Sequence, residues 1–246
     1  MVSRRHGRGP EELRALTIET GVLRHAEGSA LISMGDTRVL CAASVEHGVP
    51  RWLRGTGHGG GPAAVGNQPP PAPPRRPPGA RGRGPGGRSQ EIQRLIGRSL
   101  RAALDLDRLG EQTITVDCDV IQADGGTRTA AITGGWVALA LAIDWLSRGG
   151  ALAGSPLTTQ VAAISVGLSD GTALLDLDYD EDSSADTDFN VVQLGTGKLV
   201  EVQGTAEHAP FSRGDLDRVV AVATAGIAQL FEAQREAVAA DRAAQR

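Results

Sequence analysis

Thr113-Ile-Thr-Val-Asp-Cys-Asp-Val-Ile-Gln-Ala-Asp-Gly-Gly-Thr-Arg-Thr129 is the stretch on which the fold turns. Ile114, Val116, Cys118 and Val120 alternate with threonine and aspartate, which predicts a strand with one wet face. After the Asp124-Gly125-Gly126 break, a mostly apolar run from Thr127 to Arg148 predicts a helix with no polar face, buried on several sides. Where strand gives way to helix, the free amides of a first turn, the Thr127 hydroxyl and the Arg128 guanidinium would converge on one anion.

The surrounding pattern repeats these elements. Residues 15–20, 30–34 and 37–45 read as strands, the last two joined by a Gly35-Asp36 turn. Residues 89–106 carry Ile92, Leu95, Ile96, Leu100 and Ala103 at helical spacing, an amphipathic helix that opens on Gly86-Gly87-Arg88-Ser89. Residues 161–168 and 173–179 form a second hairpin, and residues 189–194 and 198–202 a third. Ser212 with Asp215 resembles a capping box, and the amphipathic stretch that follows runs to about residue 240. Strands, helix, strand, helix, strands, helix implies an α+β architecture of packed layers.

Of the 246 residues, 40% are hydrophobic and only 3% aromatic, so Leu, Val, Ile and Ala must fill a globular core. The formal net charge of −4 is divided unevenly, residues 1–110 carrying +8 and residues 111–246 carrying −12. A basic half suits a polyanion, and a separate acidic cluster suits a divalent cation. The basic opening leads into no apolar run, and the run from Ala130 to Leu146 is broken by Thr133, two glycines and Asp144, which implies a cytoplasmic chain with no membrane span. Cys41 and Cys118 have no metal-ligand spacing around them and read as buried free thiols.

Other candidate motifs fail on context. Gly55-Thr-Gly-His-Gly-Gly60 is followed by a prolyl run instead of a helix, which excludes a dinucleotide site. The run from Asp176 to Asp188 has Glu181 where a calcium loop needs glycine and Thr187 where it needs glutamate. Alternation with Leu175, Leu177 and Tyr179 puts Asp176, Asp178 and Asp180 on one solvated strand face, while Asp182, Asp186 and Asp188 lie past it, suited to Mg²⁺ beside an incoming phosphate. His6, His25, His47, His58 and His208 share no spacing with a serine or cysteine nucleophile. Residues 59–87 hold 9 Gly and 9 Pro with no acid, and predict a disordered basic segment that contributes no core element.

His25-Ala-Glu-Gly-Ser29, Gly35-Asp-Thr-Arg-Val-Leu-Cys41, Gly48-Val-Pro-Arg51, Glu91-Ile-Gln-Arg-Leu-Ile-Gly-Arg98, Asp117 to Thr129 and Glu201-Val-Gln-Gly-Thr-Ala-Glu207 together resemble the bacterial ribonuclease PH family, over nearly the whole chain except the Gly/Pro segment. The resemblance implies one domain of the ribosomal protein S5 domain 2-like type across residues 1–246, and a homohexameric ring built as a trimer of dimers. It implies a phosphorolytic 3′ to 5′ exoribonuclease, able to run backwards as a nucleotidyltransferase. Such an enzyme trims tRNA precursors, works in tRNA and rRNA processing, uses inorganic phosphate and releases nucleoside diphosphates. By the same resemblance Arg88, Gly126, Thr127 and Arg128 bind phosphate, and Asp182 and Asp188 bind Mg²⁺ or assist proton transfer.

The Gly/Pro segment departs from the family, which has an Arg-rich, aromatic-containing stretch there that helps grip tRNA. A pair of compensating frameshifts in a G+C-rich gene would yield such a replacement. If the segment is genuine, the alternative is a catalytically impaired RNA-binding or structural ring subunit of the same fold. A metal-dependent hydrolytic nuclease ranks last, because it leaves Arg88 and Arg128 without a task.

Overall fold

The computed structural model describes residues 4–49, 51, 54–55, 60–68 and 87–245, with residues 6, 60–68 and 87–89 described by their backbone. After a short 3-10 turn at Arg5–Gly7 come β1 (Leu16–Thr20), β2 (Gly28–Met34), β3 (Thr37–His47), β4 (Gly60–Gln68), α1 (Gly87–Arg101) and α2 (Leu106–Leu109). They are followed by β5 (Gln112–Gln122), α3 (Thr127–Arg148), β6 (Val161–Ser169), β7 (Thr172–Leu175), α4 (Tyr179–Ser184), β8 (Thr187–Leu194), β9 (Leu199–Ala206) and α5 (Arg213–Ala244).

These strands form two sheets, in the orders β1-β2-β3-β5-β4 and β7-β6-β8-β9. Helix α3 lies between them, packed on β2, β3 and β5 to one side and on β6 to the other. That placement explains its composition. It is long and apolar enough to cross a bilayer, yet most of it is buried inside the protein. The close fit depends on absent side chains: a Cβ on Gly134 would stand 2.7 Å from Ile32 Cγ2. A Cβ on Gly28, where β2 starts, would collide with the Ala138 carbonyl of α3 and lie 2.6 Å from the Ala142 nitrogen. Cys41 and Cys118, both free and buried, are register partners across β3 and β5, and each donates its thiol to the Ala131 carbonyl of α3.

Helix α5 covers β1, β6 and β7, and opens on the expected capping box, with Ser212 and Asp215 bonding each other's backbone. Two expectations are corrected. Strand β7 stops at Leu175 because Asp176 takes a left-handed φ of 55°, so Asp176, Asp178 and Asp180 do not share a strand face. Asp178 instead caps α4 by a capping box with Glu181. The second correction falls on the Gly/Pro segment, whose residues 60–68 form β4, parallel to β5 at the sheet edge. Pro62 sits where the β4 register shifts between Gly60 and Ala63, a position that donates nothing to the ladder. The rest of the segment, residues 69–86 and residue 59, lies outside the described residues.

Gly28→Ala should cost about 3 kcal/mol of stability, the upper end for overpacking because the atoms met are backbone. Urea unfolding of the two proteins measures it.

Candidate functional site

The site grows from the Asp124-Gly125-Gly126 turn between β5 and α3. Gly125 and Gly126 both take positive φ, 74° and 66°. At Gly125 a side chain is excluded twice over, since a Cβ would collide with the Leu177 carbonyl oxygen and stand 2.8 Å from the Asp178 carbonyl carbon. The turn's carbonyls are consumed by neighbours. Thr37 Oγ1 donates to the Gly125 oxygen at 2.6 Å and accepts from the Asp124 amide at 2.8 Å. Arg14 donates to the Asp124 oxygen, and more weakly to that of Gly125 at 3.4 Å.

The amides are left differently. The first helical bond of α3 runs from Ala130 N to Gly126 O, and no side chain caps this helix. Thr127, Arg128 and Thr129 therefore start the helix with amides that have no acceptor one turn back. Thr129 Oγ1 turns to the Gly126 oxygen at 2.8 Å. Arg128 is half-buried and makes no hydrogen bond or ion pair with a described residue. A guanidinium with no protein carboxylate bound to it, beside free amides at a helix start, is an anion site.

What holds the opposite wall is a set of arginines that the sequence pattern does not single out. Arg14 binds Asp176 three times: its backbone amide and Nε donate to Oδ2 at 2.9 and 3.0 Å, and Nη2 donates to Oδ1 at 2.7 Å. The two side chains are 6% and 1% exposed. Burial opposes the Arg14 charge, and the bonds to Asp176 outweigh it, so the guanidinium holds its proton more firmly than usual. Arg4, buried, donates through Nε and Nη2 to Glu181 at 2.8 Å and through Nη2 to the Leu175 oxygen at 2.7 Å. Arg8 reaches Glu181 at 3.0 Å and Asp178 at 3.8 Å. Desolvation weakens its hold on its proton, and Arg4 adds to the effect. Glu181 is drawn below the usual carboxylate range: its own desolvation works against this, and Arg4, the Asp178 amide and Arg8 prevail. Of the aspartates read as a solvated face, Asp176 and Asp178 are thus consumed and almost fully buried, while Asp180 stays exposed beside Arg5.

This clamp fixes α4, which presents Asp182. Its amide bonds the Asp178 carbonyl at 2.9 Å, and its exposed carboxylate lies within electrostatic range of Asp188 and Arg128. Asp188 stands on β8, opposite Gly167 of β6 and Thr205 of β9. Its Oδ1 is buried with no hydrogen-bond partner among the described residues. Partial desolvation raises the Asp182 pKa, Asp188 raises it further, and Arg128 lowers it. Desolvation also raises Asp188, with Glu207 adding to it and its own backbone amide and Arg128 opposing.

The structure therefore gathers Thr127, Arg128, Asp182 and Asp188 at one place. Arg88 falls in the first turn of α1, and its side chain lies outside the described residues. Among the described residues no group of three or more His, Cys, Asp or Glu is arranged for a metal. The pair Asp182 and Asp188 nonetheless suits Mg²⁺, which takes one or two carboxylates and fills its shell from water and substrate oxygens. The unpartnered Asp188 Oδ1 fits that role. Glu207, the last residue of the Glu201–Glu207 motif, completes the acidic surroundings, whereas the clamp arginines carried no local motif. The one signal for the clamp was the charge imbalance between the two halves, whose basic and acidic ends meet here.

Comparison with known proteins agrees on the fold. A model of the 3′ exoribonuclease family, domain 1, matches residues 12–143, and one of domain 2 matches residues 159–226. The chain is similar to rice (Oryza sativa) Rrp46 at 22% identity and TM-score 0.76, over 96% of this chain and 100% of that one. It is similar to an archaeal exosome core at 22% identity and TM-score 0.73, over 95% and 91% of the two chains. It is also similar to the Archaeoglobus fulgidus exosome with RNA bound to the active site, at 23% identity and TM-score 0.70, over 94% and 92%.

Two measurements probe this geometry. Arg14→Met strands a buried Asp176 and should lower stability by about 3–5 kcal/mol by denaturant unfolding. Raised carboxyls bind protons more tightly folded than unfolded, so Asp182 and Asp188 subtract stability as pH climbs from the ordinary aspartate value through their raised ones. Arg128→Met removes the positive charge that opposes this, and carboxyl carbon NMR titration should find both aspartates shifted further up.

Proposed function

As the chain belongs to the 3′ exoribonuclease family, we propose that it is a phosphorolytic 3′ to 5′ exoribonuclease that trims the 3′ ends of tRNA precursors and releases nucleoside diphosphates. One observation carries the reading: Arg128, half-buried and unpaired among the described residues, stands at an uncapped helix start beside Asp182 and Asp188. Hydrolysis needs no cation reserved for a second anion. Phosphorolysis does.

The chemistry sets the requirement. An oxygen of orthophosphate forms a bond to the phosphorus of the terminal phosphodiester as the bond from that phosphorus to the preceding 3′ oxygen breaks, and a proton ends on that released oxygen. Attacking and attacked groups are both anionic, so the site must supply positive charge that is already oriented when they meet. Arg128 and the amides of Thr127, Arg128 and Thr129 bind and aim the nucleophile, with Gly126 letting the backbone approach. Arg88, in the first turn of α1, is the second arginine of this reading. Asp182 and Asp188 would hold Mg²⁺, which when bound neutralises phosphate charge. A carboxyl with raised proton affinity at the same place suits the proton transfer.

Ring assembly belongs to the same proposal, as a homohexamer that reads tRNA ends. The likeness to exosome structures, one of them with RNA at its active site, supports the RNA-directed part.

The test is phosphate-dependent release of nucleoside diphosphates from a tRNA with a 3′ extension. Arg128→Ala should lower that rate by at least about 10²-fold while RNA affinity changes little. Near wild-type release by this variant overturns the assignment. Monophosphates formed without phosphate make the chain a hydrolase, and RNA binding without turnover makes it a structural ring subunit.

A further inference from the structure

The sheet beneath the site carries an amide oxygen that no described residue satisfies. In the β8–β9 ladder Asp188 faces Thr205 and Asn190 faces Gln203. Residues two apart on a strand share a face, so Asp188, Asn190, Thr205 and Gln203 line one polar patch. That face is the one toward α3, because Ser165, the β6 partner of Asn190, lies close enough to the α3 cap that a Cβ on Gly126 would be 3.5 Å from its hydroxyl. Gln203 reaches outward to α1, its Nε2 donating to Glu91 Oε1 at 3.4 Å. A carboxylate accepts only the amide's N–H, so Glu91 fixes which end of Gln203 is which. Gln203 Oε1 is then left on the other side, buried and with no hydrogen-bond partner among the described residues. Native structures seldom keep such an acceptor empty unless something else supplies the donor.

The following rests on the proposed function, which brings the 3′ end of an RNA to this patch with its scissile phosphate near Arg128 and Asp188. The Asn190–Gln203 pair lies two residues along the ladder from the Asp188–Thr205 pair, about 7 Å at strand rise. A nucleotide spans a comparable length from its 5′ phosphate to its 2′-hydroxyl. We propose that Gln203, aimed by Glu91, accepts a hydrogen bond from the 2′-hydroxyl of the terminal nucleotide and thereby selects RNA over DNA ends. The hydroxyl is a donor that every ribonucleotide carries and every deoxynucleotide lacks. Glu91 is a positioning residue in this scheme, since it touches the amide and not the RNA.

The experiment compares two oligoribonucleotides, identical except that one ends in a 2′-deoxynucleotide, by fluorescence anisotropy with the full chain in phosphate-free buffer. Binding is thereby read apart from turnover. The wild type should hold the ribose end about tenfold tighter. Gln203→Leu should bring the two affinities together by weakening the ribose end alone, and Glu91→Gln, an exposed change on α1, should cut the ratio to about threefold or less. Equal wild-type affinities, a ratio that survives Gln203→Leu, or a preference that follows the terminal base overturns the proposal. Absence of diphosphate release from the same preparation, with the ratio intact, strikes only the phosphorolytic reading.

Discussion

One buried ion pair holds the site in shape. Arg14 precedes the first strand of one sheet and Asp176 follows β7 of the other, and between them they carry three hydrogen bonds in almost complete seclusion from water. Neither charge is tolerable there alone. The guanidinium also takes the carbonyl oxygens of Asp124 and Gly125, so the turn before α3 has its acceptors engaged and its helix-start donors free. The anion site is what remains after the clamp has been satisfied.

Most of the fold could be read in the chain because its elements announce themselves locally. The alternation around Cys118 marks β5, and the lack of a polar face on α3 follows from having a sheet on each side. The failures are equally physical. Alternation continues through Leu175, Leu177 and Tyr179, but a left-handed Asp176 ends the strand, and nothing local distinguishes that aspartate from its neighbours. Its carboxylate is held by Arg14, 162 residues earlier, and its carbonyl by Arg4 and Arg8.

The site divides along the same line. Thr127, Arg128, Asp182 and Asp188 lie in short motifs where residue type and spacing already imply chemistry, and the structure brings them together. Arg4, Arg8 and Arg14 belong to no motif. Their partners lie on the far side of the sequence, so only a difference in charge between the halves hinted at them. Gln203 and Glu91 each lie in a motif, but their pairing across the fold could not be read from either one.

Strand β4 gives the molecule a place where its text can change without its grammar. It adds to the sheet at an edge, its main chain paired with β5 and its strand packed beside α1, and the interior rows of β2, β3 and β5 close over α3 without it. Main-chain pairing is indifferent to which side chains the strand bears. The ladder itself therefore admits glycines, and a proline where the register shifts, at a margin that the sheet beside it does not need for its own closure over α3.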